Sequence, residues 1–175
     1  MFEYFYNEIL RSCIIGFGSL FNGLEVQHTN DNGTQSIIQV PIAYGPTQKF
    51  LARLQQEAQL NRPVQMTLPR MSFEFTSLTY DPSRKTTKSQ SFLTTTPDGT
   101  EVKRVYAPVP YNMGFTLSIY TKLNDDMLQI VEQILPYFQP HYNLSIKFLG
   151  NLNEIRDIPV NLDSITMDDD YEGNF

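Results

Sequence analysis

Residues Asn124–Asn143 read NDDMLQIVEQILPYFQPHYN, and this run sets the frame for the whole chain. Met127, Ile130, Val131, Ile134 and Leu135 recur at helical spacing and form one apolar stripe, which predicts an amphipathic helix. Asn124 suits its N-cap, since the side-chain oxygen can accept from the free N–H groups of the first turn. Asp125 and Asp126 then sit at the positive end of the helix dipole, which explains them better than acid/base pairing does. Pro136 ends the helix and Pro140 delays any restart.

Working outward, Pro108–Lys122 carries the longest strand signal. Met113, Phe115, Leu117 and Ile119 alternate with Gly114, Thr116, Ser118 and Tyr120, as a half-buried strand requires. Gln65–Tyr80 reads the same way, with Met71, Phe73 and Phe75 on one face. Between them, residues 81–106 turn polar and basic, a long loop or projecting hairpin. Leu24–His28 and Ser36–Pro41 flank Asn30-Asp31-Asn32-Gly33, a hairpin turn rich in residues that accept positive φ. Thr47 or Pro46 opens a helix to about Leu60 with Phe50, Leu51, Leu54 and Ala58 as its buried stripe.

Phe2, Phe5, Tyr6, Ile9, Leu10, Cys13, Ile14, Phe17 and Phe21 predict an N-terminal helix over residues 2–22. Gly16 and Gly18 weaken its far end and Gly23 stops it. After the central helix, Leu144–Leu149 and Ile158–Thr166 complete the strands. The expected fold is α+β: a mainly antiparallel sheet flanked by helices packed on one face, forming a single domain over 1–167. Residues 168–175 form an acidic, mobile tail.

The chain has 175 residues, enough to bury a core without disulfides or metals. Its net charge of −6 argues against affinity built on phosphate contacts. Ten Tyr and twelve Phe with no Trp fit either a Tyr-rich sheet or a surface in lasting contact with other proteins. Cys13 is the single cysteine, so no internal disulfide can form, and a reducing compartment is the simplest setting. It reads as a packed core thiol. The N-terminus lacks a basic signal region and no apolar run is long enough to cross a bilayer, so the expectation is a soluble, cytoplasmic protein without membrane contact.

Chemical motifs are scarce. His28 and His141 have no Cys, Asp or Glu neighbours at metal-ligand spacing and read as structural or surface residues. Gly16-Phe17-Gly18 lacks the strand-before, helix-after setting of a nucleotide loop. Asp168, Asp169 and Asp170 can attract a cation, but a lone triplet lacks the oxygen cage of a tight site and reads as a solvated tail. No catalytic residue, metal site or cofactor is expected. Arg70, His141 and Tyr142 are the best that an enzyme reading can offer. Arg84, Lys85 and Lys88, with Lys103 and Arg104 across the expected hairpin, are either a solvated loop that discourages edge pairing or a docking finger for an acidic partner.

MFEYFYNEILR at residues 1–11, Ile42-Ala43-Tyr44-Gly45, Leu68-Pro69-Arg70-Met71 and above all Asp125-Asp126-Met127 through Gln139-Pro140-His141-Tyr142-Asn143 resemble the tail sheath stabilisers, or tail completion proteins, of T-even-like contractile-tailed phages. The resemblance runs from Met1 to about Val160. It implies a tail-terminator-like fold and a structural virion protein without catalysis, assembled in the host cytoplasm. Such proteins form a hexameric ring at the head-proximal end of the tail. The ring caps the sheath and the tube terminator and offers a surface to the neck proteins, while genomic DNA passes through the lumen without specific binding. A ring needs a heterologous interface, and Phe2, Tyr6 and Ile9 are expected in it. The family continues with a further strand after an acidic loop, whereas this sequence stops at Asn174-Phe175. The edges Ile158–Thr166, around Val160, and Lys103–Tyr106 are therefore expected to accept a strand from the sheath protein. A tube terminator, a neck adaptor and a generic α+β binding module are the competing readings.

Overall fold

The computed structural model describes residues 4, 6–29, 32–55, 67–87, 89–96, 98–149 and 154–168. In chain order these form α1 (Ile9–Leu20), β1 (Glu25–Thr29), β2 (Gln35–Gln39), β3 (Ile42–Tyr44), α2 (Thr47–Gln55), β4 (Arg70–Tyr80), β5 (Ser91–Thr95), β6 (Val102–Tyr106), β7 (Tyr111–Tyr120), α3 (Asn124–Ile134), β8 (His141–Leu149) and β9 (Glu154–Asn161). The class is α+β, as expected. The strands do not merge into one sheet among the described residues. A mixed sheet of order β3-β4-β7 stands beside three antiparallel hairpins, β1-β2, β5-β6 and β8-β9.

The central ladder explains the layers. Met71 pairs with Ile119, Phe73 with Leu117 and Phe75 with Phe115, so one face of β4-β7 is apolar. It receives α1: the Phe17 ring stacks on Phe115 at 4.3 Å and lies 5.6 Å from Phe73. Arg70, Ser72, Ser118 and Tyr120 line the opposite face at the same end. There α2 sits, with the Phe50 ring stacked 6.1 Å from Tyr120 and Thr47 Oγ1 2.9 Å from Ser118 Oγ. The helices therefore lie on both faces rather than one. That is why Ser72 is buried beside Met71 and Phe73, where alternation alone predicts an exposed residue.

On its other side α1 carries the β8-β9 hairpin. A Cβ added at Gly16 would come 2.8 Å from Leu144 Cδ2, and one added at Gly18 would come 2.6 Å from the Phe73 ring. Two residues apart on a helix face opposite ways. The two glycines thus let the helix approach the hairpin on one side and the sheet on the other. The core at this junction contains Phe17, Phe21, Val26, Val40, Met71, Phe73 and Ile130, with Val160 packed against its edge.

Several boundaries differ from the sequence expectation. The first helix begins at Ile9, because Glu8 takes φ +54° and a left-handed residue cannot continue a right-handed helix. Phe2 and Phe5 lie outside the described residues, and Tyr6 precedes the helix. Leu51 of α2 is exposed, while Phe50 is buried. The α2 region past residue 55 lies outside the described residues. Asn124 is inside α3 rather than its cap: Leu123 holds that position, and no side chain caps the helix there. Finally, β9 runs over residues 154–161, and residues 162–168 are irregular. Residues 169–175 of the expected acidic tail are outside the described residues.

Candidate partner-docking surfaces

Among the described residues no group of three His, Cys, Asp or Glu side chains is placed to hold a metal ion. The Arg70 guanidinium lies over the Phe50 ring at 5.7 Å, and Tyr142 packs edge-on against Tyr137. Cys13 is buried in α1, and desolvation pushes its thiol pKa up, away from a reactive thiolate. No helix among the described residues is long and apolar enough to cross a membrane. What the fold does present is surface.

The first surface is a finger. β4 and β7 outrun α1, and a bulge lies between Phe75 and Ser77. Gly114 opposes that bulge, where a Cβ would collide with the Ser77 hydroxyl. Beyond it Tyr80 and Tyr111 pack edge to face at 5.7 Å. The residues after them, expected as a loop or projecting hairpin, form the β5-β6 hairpin. Asp81 ties its base. Its carboxylate accepts from Ser83 N–H at 3.0 Å, Ser83 Oγ at 2.6 Å and Arg84 Nε at 2.6 Å, and Arg84 also donates to Asn112 Oδ1 on β7. Hydrogen bonds from Ser83 and Arg84 hold the Asp81 pKa down to about 2.

Pairing within the hairpin sorts its side chains. Leu93 opposes Arg104, Ser91 opposes Tyr106 and Thr95 opposes Val102, so these six share one face. Phe92, Val105, Thr94 and Lys103 share the other. On that second face Arg156 of β9 lies over the Phe92 ring at 5.5 Å. The first face looks away from the rest of the chain, and Leu93, Val102 and Tyr106 are 69%, 66% and 69% exposed. Arg104 stands among them, exposed and without an ion-pair partner among the described residues.

The basic residues expected to act together are therefore divided. Arg84 is fixed in the Asp81 knot. Lys103 lies 3.6 Å from Glu101 and faces opposite to Arg104. Lys85 is exposed, and Lys88 is outside the described residues. The sequence SFLTT and VKRVY carries no apolar alternation, and only the pairing of the two strands gathers Leu93, Val102 and Tyr106 on one face.

The second surface is the N-terminal approach to α1. Tyr4 and Tyr6 are exposed, as is Leu10 on the helix, whereas Ile9 is half-buried. Phe2, expected with them, is outside the described residues. Val160 faces inward: it pairs with Tyr142 and packs on the core, so its side chain is already engaged within the chain. Its neighbour Pro159 has no N–H to donate, a residue found on edge strands.

Comparison with known proteins places the chain in a family. A family model described as the T4-like virus Myoviridae tail sheath stabiliser matches residues 4–175. The chain is also 35% identical over 182 residues to "Tail completion protein gp15" of Enterobacteria phage T4. That alignment takes in 99% of this chain and 66% of the phage T4 protein, so the chain spans a little under two thirds of that relative's length.

Proposed function

We propose that this chain, which belongs to the tail sheath stabiliser family of T4-like Myoviridae viruses, is a non-enzymatic virion protein that closes the head-proximal end of a contractile tail. Copies assemble into a ring, with a hexamer as the expected closure. The ring caps the last layer of sheath and the tube terminator and gives the neck proteins a surface to bind. Genomic DNA passes through the lumen without specific contacts, as the net charge of −6 favours.

The observation that carries this reading is apolar surface the fold does not use. Tyr4, Tyr6 and Leu10 lie at the start of α1, while Leu93, Val102, Tyr106 and Val109 lie on the finger. Exposed apolar patches on separate elements suit a heterologous ring contact, in which each patch on one copy meets a different surface on the next. The sheath end is a polymer with unmet binding surface, and a closed ring docked there stops it peeling.

Strand addition from the sheath protein is the proposed grip. Both β6 and β9 pair with one neighbour only among the described residues. The edge of β6 is the better acceptor, because Pro159 removes a donor from β9.

The test is native mass with negative-stain images of purified protein, followed by addition to tails that lack it. Closed rings that prevent sheath loss support the proposal. A protein that neither oligomerises nor stabilises such tails overturns it.

A further inference from the structure

We infer that the outer face of the β5-β6 hairpin receives residues 162–168 of a second copy of this chain. This rests on the reading of side-by-side copies above. The segment follows β9 and is irregular, with Leu162, Ile165 and Met167 all exposed and Asp163 and Asp168 among them. It is an acidic and apolar strip. The hairpin face is its counterpart, with Leu93, Val102 and Tyr106 around Arg104.

The two match in charge and in reach. Val102, Arg104 and Tyr106 span about 13 Å along β6 at ~3.3 Å per residue. Asp163 to Met167 spans at most about 14 Å. With Asp163 on Arg104, Ile165 falls about 7 Å further along, level with Val102 or Tyr106.

The occupant comes from another copy because of how a single chain is folded. Within one chain β9 meets the hairpin through Arg156 on Phe92, on the face opposite to Leu93 and Arg104. Its own β9 thus meets the opposite face of the hairpin, and Leu162, Ile165 and Met167 stay exposed rather than covering Leu93 and Arg104. Both apolar stretches stay exposed in one chain, and one contact repeated around a ring covers both.

Chains carrying only Leu93→Cys and differently tagged chains carrying only Ile165→Cys are mixed, assembled and oxidised, alone and on tails. Native Cys13 is buried and serves as the unreactive control. The expected product is a disulfide joining the two tags. In parallel, Arg104→Glu weakens assembly about tenfold, and adding Asp163→Arg restores it. Rings that form without the mixed disulfide, or without charge-swap rescue, overturn this inference and leave the ring standing. A third chain carrying both cysteines is oxidised beside them, and a disulfide that forms only within that chain overturns the inference too, since the strip then folds onto its own chain. Chains that stay monomeric both alone and on tails overturn the ring and this contact together.

Discussion

His28 Nε2 lies 2.7 Å from Asp126 Oδ1, joining β1 to α3 across 98 residues of sequence. Asp126 is 4% exposed, so its carboxylate depends on this partner. The same helix holds the β1 backbone through glutamines. Gln27 N–H donates to Gln129 Oε1 at 2.9 Å, and Gln129 Nε2 donates back to the Gln27 carbonyl at 3.2 Å. Gln133 Nε2 donates to the Glu25 carbonyl at 2.7 Å. The free edge of β1 is thereby occupied by side chains.

Breaking this link should loosen α3 from the hairpin. Asp126→Ala is expected to lose about 1–3 kcal/mol, the range for removing one partner of a buried polar pair. His28→Ala should lose at least as much, because it leaves the carboxylate buried and unpaired. Leu128→Ala, at an exposed position of the same helix, should change stability by under about 0.5 kcal/mol. Urea unfolding of the three variants and of the double mutant measures the coupling. Additive losses at His28 and Asp126 would mean that the pair is not energetically linked.

The two glycines of α1 should respond unequally to alanine. At Gly18 the new Cβ meets the Phe73 ring, which Phe17 and Tyr44 hold in place at 5.6 and 5.3 Å. Overpacking there is expected to cost about 1–3 kcal/mol. At Gly16 the obstacle is the end of the Leu144 side chain, which can turn aside. Gly16→Ala should be the milder change, helped by a helix-propensity gain of about 1 kcal/mol. Thermal unfolding compares them, and equal losses would contradict the account.

These contacts also mark what a linear reading can reach. Local signals were strong enough to place the α3 stripe as far as Ile134, the pairing of β1 with β2 and the alternation of β4 and β7, while Asn30 and Asp31 of the expected turn lie outside the described residues. The glycines read locally as helix weakeners, since their role is set by Leu144 and Phe73, far along the chain. Asp126 reads as a helix-dipole residue for the same reason: His28 is remote. The strand expected over residues 158–166 shifted to 154–161 because pairing with β8 sets its register, and the hydrophobic residues beyond it belong to an exposed strip. The family resemblance was legible from Met1 to about Val160, whereas the family model matches residues 4–175. The finger's apolar face was not legible, because strand pairing alone decides which side chains share it.

Acid should loosen the base of the finger before it unfolds the core. Asp81 is held at about 2, below its unfolded value of 3.8, first by Ser83 and then by Arg84. A depressed carboxyl contributes stability above the unfolded value and loses it as pH falls through the folded value. The contribution is therefore complete above about pH 4 and gone below about pH 2. Asp81→Asn should unfold more readily than the parent at pH 7, with the gap closing across that window. A gap unchanged from pH 5 to pH 2 would refute the assignment.

Val160 is the wrong place to test strand addition, and the structure supplies a better one. Its half-buried side chain packs on the core, so Val160→Ala should lose about 1 kcal/mol or more from buried methyl groups. Any loss of sheath capping there would be confounded with unfolding. Ile155 is 67% exposed on the same strand. Ile155→Glu should leave urea stability within about 0.5 kcal/mol. Normal capping by this variant is the expected outcome and keeps strand addition at β6, while loss of capping would move it to β9.

The N-terminal patch gives the cleanest separation of folding from assembly. Tyr6 and Leu10 are exposed and stand outside the core, so Tyr6→Ser and Leu10→Ser should shift stability by under about 0.5 kcal/mol each. Ile9 is half-buried, and Ile9→Ala should be the costlier change to the fold. If residues 2–10 supply one side of the ring contact, Tyr6→Ser with Leu10→Ser should leave a folded chain that assembles at least tenfold more weakly, since burying an aromatic and a leucine contributes about 1.5–3 kcal/mol each. Analytical ultracentrifugation against a far-ultraviolet dichroism control reads both quantities on one sample. Unchanged assembly, with crosslinks in the ring that never involve residues 2–10, would remove this patch from the interface and leave the finger to supply it.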